Sequence, residues 1–262
     1  MPARRTGLHQ AALRRLGDSG GSSSSSVVAA SDEATLALST LYTLTTIDPA
    51  RSQKFVHYFD NLAGWTIESL VPGTGATAAT TPIAVAEWDG KTFIQSAGVD
   101  SLSRGFVRNI AGAWANHNPR TGILDQVSAF GVAAGIQVVA DDGGYCLVGM
   151  SDPTSTGVAP KGVFAGFEHG TNARFYEGYK ATVGAGVGVD TAPSTIQLDG
   201  EWHKIFVFAD GSGSYKFQVD GESPQPIPNV NTFNNLLSCV RICLAGNNVR
   251  VSWCSAIWSG GA

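Results

Sequence analysis

EWHKIFVFADGSGSYKFQVDG, residues 201–221, is the stretch of this 262-residue sequence that decides the fold. Two runs within it, 205–208 and 215–219, are rich in the β-branched and aromatic residues that favour strands. The residues DGSG at 210–213 supply a tight turn between the runs, and Asp220-Gly221 supplies another turn after them. The stretch therefore predicts a β-hairpin.

Strand signals continue on both sides of this hairpin, from residue 55 onward. Three further pairs of strand-like segments are joined by turn-like residues. Residues 141–144 join 130–138 to a return strand that begins at 145. Residues 169–172 join 163–167 to 174–179, and residues 246–248 join the closing strands 240–244 and 249–258. No helical pattern of about 10–15 residues separates these segments, so we expect an antiparallel sandwich and not an α/β fold.

The hairpin resembles one found in concanavalin A-like and laminin-G-like domains, where W-H-x-(apolar)-x-(apolar) leads through a turn to (apolar)-x-V-D-G. Residues 59–65 resemble the first strand of such domains, and residues 249–253 resemble their final strand. The resemblance implies an all-β, antiparallel jelly-roll β-sandwich. It implies no single function, because jelly rolls serve as sugar-binding, adhesive, catalytic and structural modules.

Three regions are predicted: an extended N-terminal arm at 1–30, a short adaptor at 31–54, and the jelly-roll domain at 55–262. The arm is basic, with a net charge of +3 from Arg4, Arg5, Arg14 and Arg15 against Asp18, which leaves −7 on the remainder. Serines and glycines at 20–26 predict a flexible linker. A basic arm on an acidic body is typical of a device that contacts a partner.

Residues 31–50 carry competing signals. Asp32 and Glu33 are typical of a first helical turn, and Leu38, Leu41 and Tyr42 recur at helical spacing. The threonines between residues 35 and 47 favour a strand instead. The sequence leaves helix and strand open here.

The cysteines, Cys146, Cys239, Cys243 and Cys254, form no Cys-x-x-Cys pair and have no histidine at zinc-ligand spacing. Each lies in an apolar, strand-like context, which favours buried free thiols over a disulfide. No apolar run approaches the roughly 20 residues needed to span a membrane.

The sequence predicts no enzyme. Jelly-roll glycosidases use a Glu-x-Asp-x-x-Glu run, and the segment at Glu87-Trp88-Asp89 lacks the second glutamate. No nucleophile elbow, His-Glu-x-x-His pair or phosphate loop is found. We expect no cofactor. Asp141 and Asp142, or Asp60, could bind calcium, or these aspartates could simply form turns, and the sequence leaves this alternative open.

Glycan binding needs exposed aromatic side chains beside polar groups. Trp65, Trp202, Trp253 and Trp258 are predicted to fill the core. Two sets of candidate contact residues remain. The first lies in a polar, turn-rich segment and consists of Trp114, Asn116, His117 and Arg120. The second lies on a predicted strand and consists of Tyr176 and Tyr179. Either a sugar or a neighbouring subunit would suit the first set, since aromatic anchors serve at both kinds of site.

The order of a basic arm, a serine linker, an adaptor and a jelly roll resembles that of tailed-phage virion proteins. This resemblance implies a capsid decoration, head fibre or tail component located in the virion. The arm would bind other virion proteins, and the low charge favours a homo-oligomer, with a trimer as one state. The alternative is a carbohydrate-binding module for host-surface glycans. Nucleic acid is disfavoured, because the body is acidic and the arm has no interleaved aromatics.

Overall fold

A computed structural model describes residues 24–69, 85–88, 91–95, 104–109, 115–116, 129–139, 145–151, 162–168, 177–181, 188–189, 194–209, 214–227, 236–237, 239–245 and 249–259. One helix, α1 (Ser24–Thr45), and a 3₁₀ turn (Pro49–Arg51) precede the strands. The strands are β1 (Ser52–Tyr58), β2 (Thr66–Ser69), β3 (Val85–Trp88), β4 (Lys91–Gln95), β5 (Arg104–Asn109), β6 (Ala115–Asn116), β7 (Phe130–Val138), β8 (Tyr145–Ser151), β9 (Gly162–Glu168), β10 (Glu177–Ala181), β11 (Gly188–Val189), β12 (Trp202–Ala209), β13 (Tyr215–Val219), β14 (Gln225–Ile227), β15 (Leu236–Leu237), β16 (Cys239–Ala245) and β17 (Val249–Ser259).

The strands form two large sheets and one small one. Sheet A has the order β14-β13-β12-β7-β17-β4-β3, and β1 also pairs with β17. Sheet B has the order β11-β10-β9-β8-β16-β5-β2, and β15 pairs with β6 separately. The described pairings are antiparallel, which confirms the predicted all-β, antiparallel sandwich. Within the described residues, no helix is long and apolar enough to cross a membrane.

The core lies between the two sheets, because alternate side chains along a strand point to the same face. Val132, Ala134 and Ile136 of β7 supply it from sheet A. Val148 and Met150 of β8 supply it from sheet B. Both faces of the core therefore come from strands that the sequence identified by their alternation.

The hairpin that suggested the fold is present. β12 pairs with β13, with Ile205 opposite Val219. Asp220 ends the hairpin with a positive φ of 48°, a conformation that aspartate tolerates better than most residues. Its backbone N–H donates to the Lys204 carbonyl at 2.8 Å. The predicted pairing across residues 169–172 is also confirmed, since β9 pairs with β10.

The strands joined by residues 141–144 are not neighbours, and this prediction was wrong. β7 lies in sheet A between β12 and β17, whereas β8 lies in sheet B between β9 and β16. The closing strands β16 and β17 also lie in different sheets. A chain that crosses between sheets keeps one face of each strand in the core, so the alternation looks the same as in a hairpin.

Residues 59–65 do not form the first strand, which is a second correction. β1 begins earlier, at Ser52, and ends at Tyr58, and residues 59–65 connect it to β2 in the other sheet. Phe59 and Trp65 are both buried in the core. Their burial explains why an apolar connecting segment has the composition of a strand.

Residues 31–45 are helical, which decides the question left open by the sequence. Helix α1 begins at Ser24, so the flexible linker predicted at 20–26 was wrong for residues 24–26. The predicted boundaries at residues 30 and 55 fall within α1 and β1. Tertiary packing stabilises this helix despite its threonines, because propensity is a weak preference that burial outweighs.

Helix α1 packs on the outer face of sheet A, opposite the core. Its apolar side chains and those of the sheet form one buried cluster: Ala34, Ala37, Leu38, Leu41, Ile47, Ala133, Phe206, Phe208, Trp253 and Ile257. Gly131 of β7 allows α1 to lie close to the sheet, since a methyl group at this position would lie only 2.7 Å from Leu41 Cδ2. Ser255 Oγ also donates to the Ala34 carbonyl at 3.1 Å. The helical part of the predicted adaptor thus packs into the folded domain.

Leu41→Ala should lower the free energy of unfolding by about 2–4 kcal/mol, because it leaves a cavity between α1 and sheet A. Leu36→Ala is the matched control, since Leu36 lies on the same helix and is 62% exposed. The control should change stability by no more than about 0.5 kcal/mol. Urea denaturation measures both values, and equal effects of the two substitutions would contradict the packing described here.

Candidate functional site

Most of the site residues predicted from the sequence lie outside the described residues: Arg4, Arg5, Arg14, Arg15, Trp114, His117, Arg120 and Tyr176. Asn116 lies in β6, opposite Leu236 of β15. Tyr179 lies in β10, opposite Phe164 of β9 and Val189 of β11. The structure places Asn116 and Tyr179 in different sheets, and their roles stay predictions.

The four tryptophans predicted for the core have three different environments. Trp65 and Trp258 lie in the core, as predicted. Trp253 is buried on the other face of sheet A, beneath α1. Trp202 is only half-buried and lies on that same outer face, because it alternates with His203 and Ile205 along β12. The prediction is confirmed for Trp253 as well, which is fully buried in the apolar cluster under the helix, and it was wrong for Trp202.

A row of polar and aromatic residues crosses the outer face of sheet A at Trp202. Trp202 lies opposite Gln137, Gln137 lies opposite Arg250, and Arg250 lies opposite Gln95. These four residues, the Trp202 row, come from the neighbouring strands β12, β7, β17 and β4. All four are half-buried. Sequence reasoning missed the row because its members are far apart in the chain.

Hydrogen bonds and aromatic contacts hold Arg250 of the Trp202 row and the neighbouring Lys91 in place. The Arg250 guanidinium donates to Gln137 Oε1 at 3.1 Å and lies 4.8 Å from the centroid of the buried Phe93 ring. The Lys91 ammonium lies 5.2 Å from the Trp202 ring centroid. Both are cation–π contacts. Burial lowers the pKa of Arg250, and the guanidinium stays charged at neutral pH.

Helix α1 borders the row through Glu33. Lys91 Nζ lies 3.4 Å from Glu33 Oε1, with 20% and 32% of the two side chains exposed. The indole nitrogen of Trp253 also donates to Glu33, at 3.4 Å. An ion pair this exposed adds little stability. The Lys91–Glu33 ion pair instead holds the Lys91 side chain between the helix and Trp202.

The middle of sheet B is closed on the face opposite the core. Leu147 of β8, Phe164 of β9 and Arg241 of β16 point to this face, and all are buried, with Arg241 at 0% exposure. Arg241 Nε donates to Ser151 Oγ at 2.9 Å. Ser151 Oγ lies 3.0 Å from Cys239 Sγ. These three strands therefore offer no open groove for a ligand.

The cysteines are free and buried, as predicted. Burial raises the pKa of the Cys146 thiol well above its usual value, and the neighbouring Cys243 raises it further. A thiol in this environment is a poor nucleophile, because the thiolate is the reactive form.

His203 bridges two aspartates at one end of sheet A. Its Nδ1 lies 2.8 Å from Asp220 Oδ2, and its Nε2 lies 2.9 Å from Asp199 Oδ1. Asp220 Oδ1 also accepts a hydrogen bond from the Lys204 backbone at 2.8 Å. This His203 clamp explains the histidine of W-H and the aspartate of V-D-G in the hairpin pattern. It ties the segment before β12 to the turn after β13.

Two members of the His203 clamp, His203 and Asp199, have shifted pKa values. Burial lowers the pKa of His203, but the hydrogen bonds to Asp220 and Asp199 outweigh it and raise the pKa above its ordinary 6.5. The hydrogen bond from His203, followed by one from the Glu201 backbone, lowers the pKa of Asp199 below its ordinary 3.8. The protonated imidazole and the two carboxylates therefore stabilise one another.

The acidic residues considered in the sequence do not form a cluster in the described part of the chain. No group of three or more His, Cys, Asp or Glu residues suited to a metal is present there. Asp60 accepts a hydrogen bond from the side-chain amide of Asn61 at 2.7 Å. Asp141 and Asp142 lie outside the described residues. Glu177 pairs with Gly166, not with Glu168.

Solved structures with similar folds include three with TM-scores of 0.51 or 0.52, each with 10% sequence identity to this chain. They are the Emp47p carbohydrate recognition domain (TM-score 0.52, covering 82% of this chain and 100% of that one), the CBM2 module of the Lactobacillus casei BL23 phage J-1 evolved Dit (0.51, 81% and 98%), and the T. cruzi calreticulin globular domain (0.51, 79% and 88%). The jelly-roll fold predicted from the hairpin is confirmed.

These similarities concern the fold alone. No protein-family model matches the sequence, and no curated protein matches it. The jelly-roll fold by itself is neutral on catalysis.

The His203 clamp should make stability depend on pH. The contribution of His203 is complete below pH 6.5 and is lost as the pH rises through its raised folded-state pKa. The contribution of Asp199 is complete above pH 3.8 and is lost as the pH falls through its lowered folded-state pKa. The clamp therefore stabilises most between these two values.

His203→Gln should remove the part of this pH dependence that lies above pH 6.5. Urea unfolding at about pH 5 and about pH 8 measures the difference for both proteins. If wild type and variant lose the same stability between these two pH values, the clamp does not titrate as described.

Proposed function

We propose that this chain is a non-enzymatic structural or adhesive protein of a phage particle, attached through its N-terminal arm and displaying the jelly-roll domain. The packing of α1 on sheet A carries the proposal. Leu38 and Leu41 of α1 are buried against Phe206 and Phe208 of β12. The arm therefore leads into a helix that is part of the folded domain, which suits an attachment point.

The distribution of charge supports attachment through the arm. Its net charge is +3, while the rest of the chain carries −7. Arginine guanidinium groups bind carboxylates and backbone carbonyls of protein partners well. The proposed partners are other virion proteins, and the proposed locations are a capsid decoration, a head fibre or a tail component. A homo-oligomer, such as a trimer, is part of this proposal.

Deletion of residues 1–23 should abolish incorporation into particles and leave the domain folded, because α1 begins at Ser24. Gel analysis of purified particles measures incorporation, and thermal unfolding of the free protein measures folding. Replacing the four arm arginines with glutamine, at full length, separates the effect of charge from that of length. A truncated protein that still joins the particle would overturn the proposal.

Carbohydrate binding by the jelly roll is the second candidate function. Similarity to the Emp47p carbohydrate recognition domain and to the CBM2 module of a phage Dit favours it. A half-exposed tryptophan beside amide groups, at Trp202, Gln137 and Gln95, also favours it, because sugars stack on aromatic rings and hydrogen-bond to amides. A host-surface glycan would be the natural ligand of an adhesive virion protein.

A glycan array probed with the full chain tests this second function, with at least one saccharide expected to bind and to be displaced by the free sugar. Loss of binding in Trp114→Ala would assign the site to the predicted loop, and loss in Trp202→Ala would assign it to the Trp202 row. An array without a bound saccharide would reject carbohydrate binding and leave attachment through the arm to be judged by the deletion.

A further inference from the structure

The Trp202 row lies on the outer face of sheet A, beside the part that α1 covers. We infer that this row binds an acidic saccharide, with Trp202 stacking on a sugar ring and Arg250 binding its carboxylate. The inference rests on the proposed carbohydrate-binding function and names the site and the ligand class. Four steps support it: the exposure of Trp202, the geometry of Arg250, the local charge, and the closure of sheet B.

Trp202 is partly exposed, which a stacking platform requires. Of the four tryptophans whose side chains the structure describes, Trp65, Trp253 and Trp258 are buried and Trp202 alone is not. Its ring packs near Phe93, with centroids 6.4 Å apart, so the platform is held in place. The Lys91 ammonium lies over the ring at 5.2 Å. A sugar on this indole would have a cation beside it.

Arg250 is fixed in a geometry suited to a carboxylate. Its guanidinium lies over the Phe93 ring and donates Nη1 to Gln137 Oε1. Gln137 is itself held, because its Nε2 donates to the Gly200 carbonyl at 2.9 Å. A guanidinium whose orientation is set before binding loses little entropy on binding, and its planar fork matches a carboxylate. Gln95, opposite Arg250, adds an amide for sugar hydroxyls.

The local charge favours an anion. Lys204 follows Trp202 by two positions on β12 and therefore lies on the same face. Three cations, Lys91, Lys204 and Arg250, thus lie on or beside this face. Among the described carboxylates around them, that of Glu33 pairs with Lys91, and that of Asp220 is held by His203 and the Lys204 backbone. These cations occur on a body that is negative as a whole. Complementary charge selects an anionic ligand and speeds its association.

The other large sheet does not offer an equivalent surface in its middle strands. There the outward side chains of β8, β9 and β16 are buried, including Arg241. The three middle strands of sheet B therefore do not offer a saccharide an alternative to the Trp202 row.

Calorimetry of the full chain with an oligogalacturonate tests the inference. The matched ligand is the same oligosaccharide after reduction of its carboxylates, which keeps the ring and removes the charge. We expect the acidic form to bind about tenfold or more tightly than the reduced form, as one charged hydrogen-bonded contact provides. Poly-glutamate serves as a non-sugar anion, and equal affinity for it would overturn the assignment to a saccharide.

Variants of the row distinguish this site from others. Trp202→Ala and Arg250→Gln should each weaken binding about tenfold. Arg250→Lys, which keeps the charge but loses the fork, should lie between wild type and Arg250→Gln. Lys54→Gln is the matched charge control, because the exposed Lys54 pairs with Ile257 near the other end of β17. It should bind like wild type, and thermal unfolding checks that each variant is folded.

The outcomes separate the inference from the function on which it rests. Binding of the saccharide that is unchanged in Trp202→Ala and Arg250→Gln overturns the Trp202 row and leaves carbohydrate binding standing. Failure to bind this oligosaccharide and every acidic glycan of the array, while neutral glycans bind, overturns the acidic ligand class. Failure to bind any saccharide overturns both carbohydrate binding and the inference.

Discussion

The packing of helix α1 on the outer face of sheet A is the constraint on which the rest of this structure depends. A sandwich sheet normally turns a polar face to solvent, but Phe206, Phe208 and Trp253 make this face apolar. Burying each such side chain contributes about 1.5–3 kcal/mol. The helix therefore supplies a third layer, and the described part of α1 packs as a component of the domain.

The same packing divides the outer face of sheet A into two parts. One part is covered by α1, where Gly131 allows Leu41 to approach the sheet. The other part carries Trp202 and Arg250, with Glu33 of α1 at the border between them. Attachment and recognition are thereby proposed for two regions of one sheet, and the helix positions both. The closed middle of sheet B is consistent with this division.

The sequence predicted the fold well but did not reveal the Trp202 row, for physical reasons. The 201–221 hairpin was predictable because its two strands are adjacent in the chain and its turns are locally encoded. The strands that flank β7 were not predictable, because the alternation of apolar residues specifies which face of a strand is buried but not which strand lies beside it. Trp202 was predicted to lie in the core because its context is strand-like. That context does not specify which face of the strand the side chain occupies, since a tryptophan suits either face. The Trp202 row itself depends on register among four strands that are distant in the sequence.

Hydrogen exchange of the backbone amides of the full chain tests the central claim most directly. If α1 is a layer of the domain, the amides of residues 34–45 exchange only through global unfolding, with the same free energy of opening as those of β7 and β17. If these helix amides exchange much faster, while β7 and β17 stay protected, then α1 is not part of the folded unit and the account is contradicted.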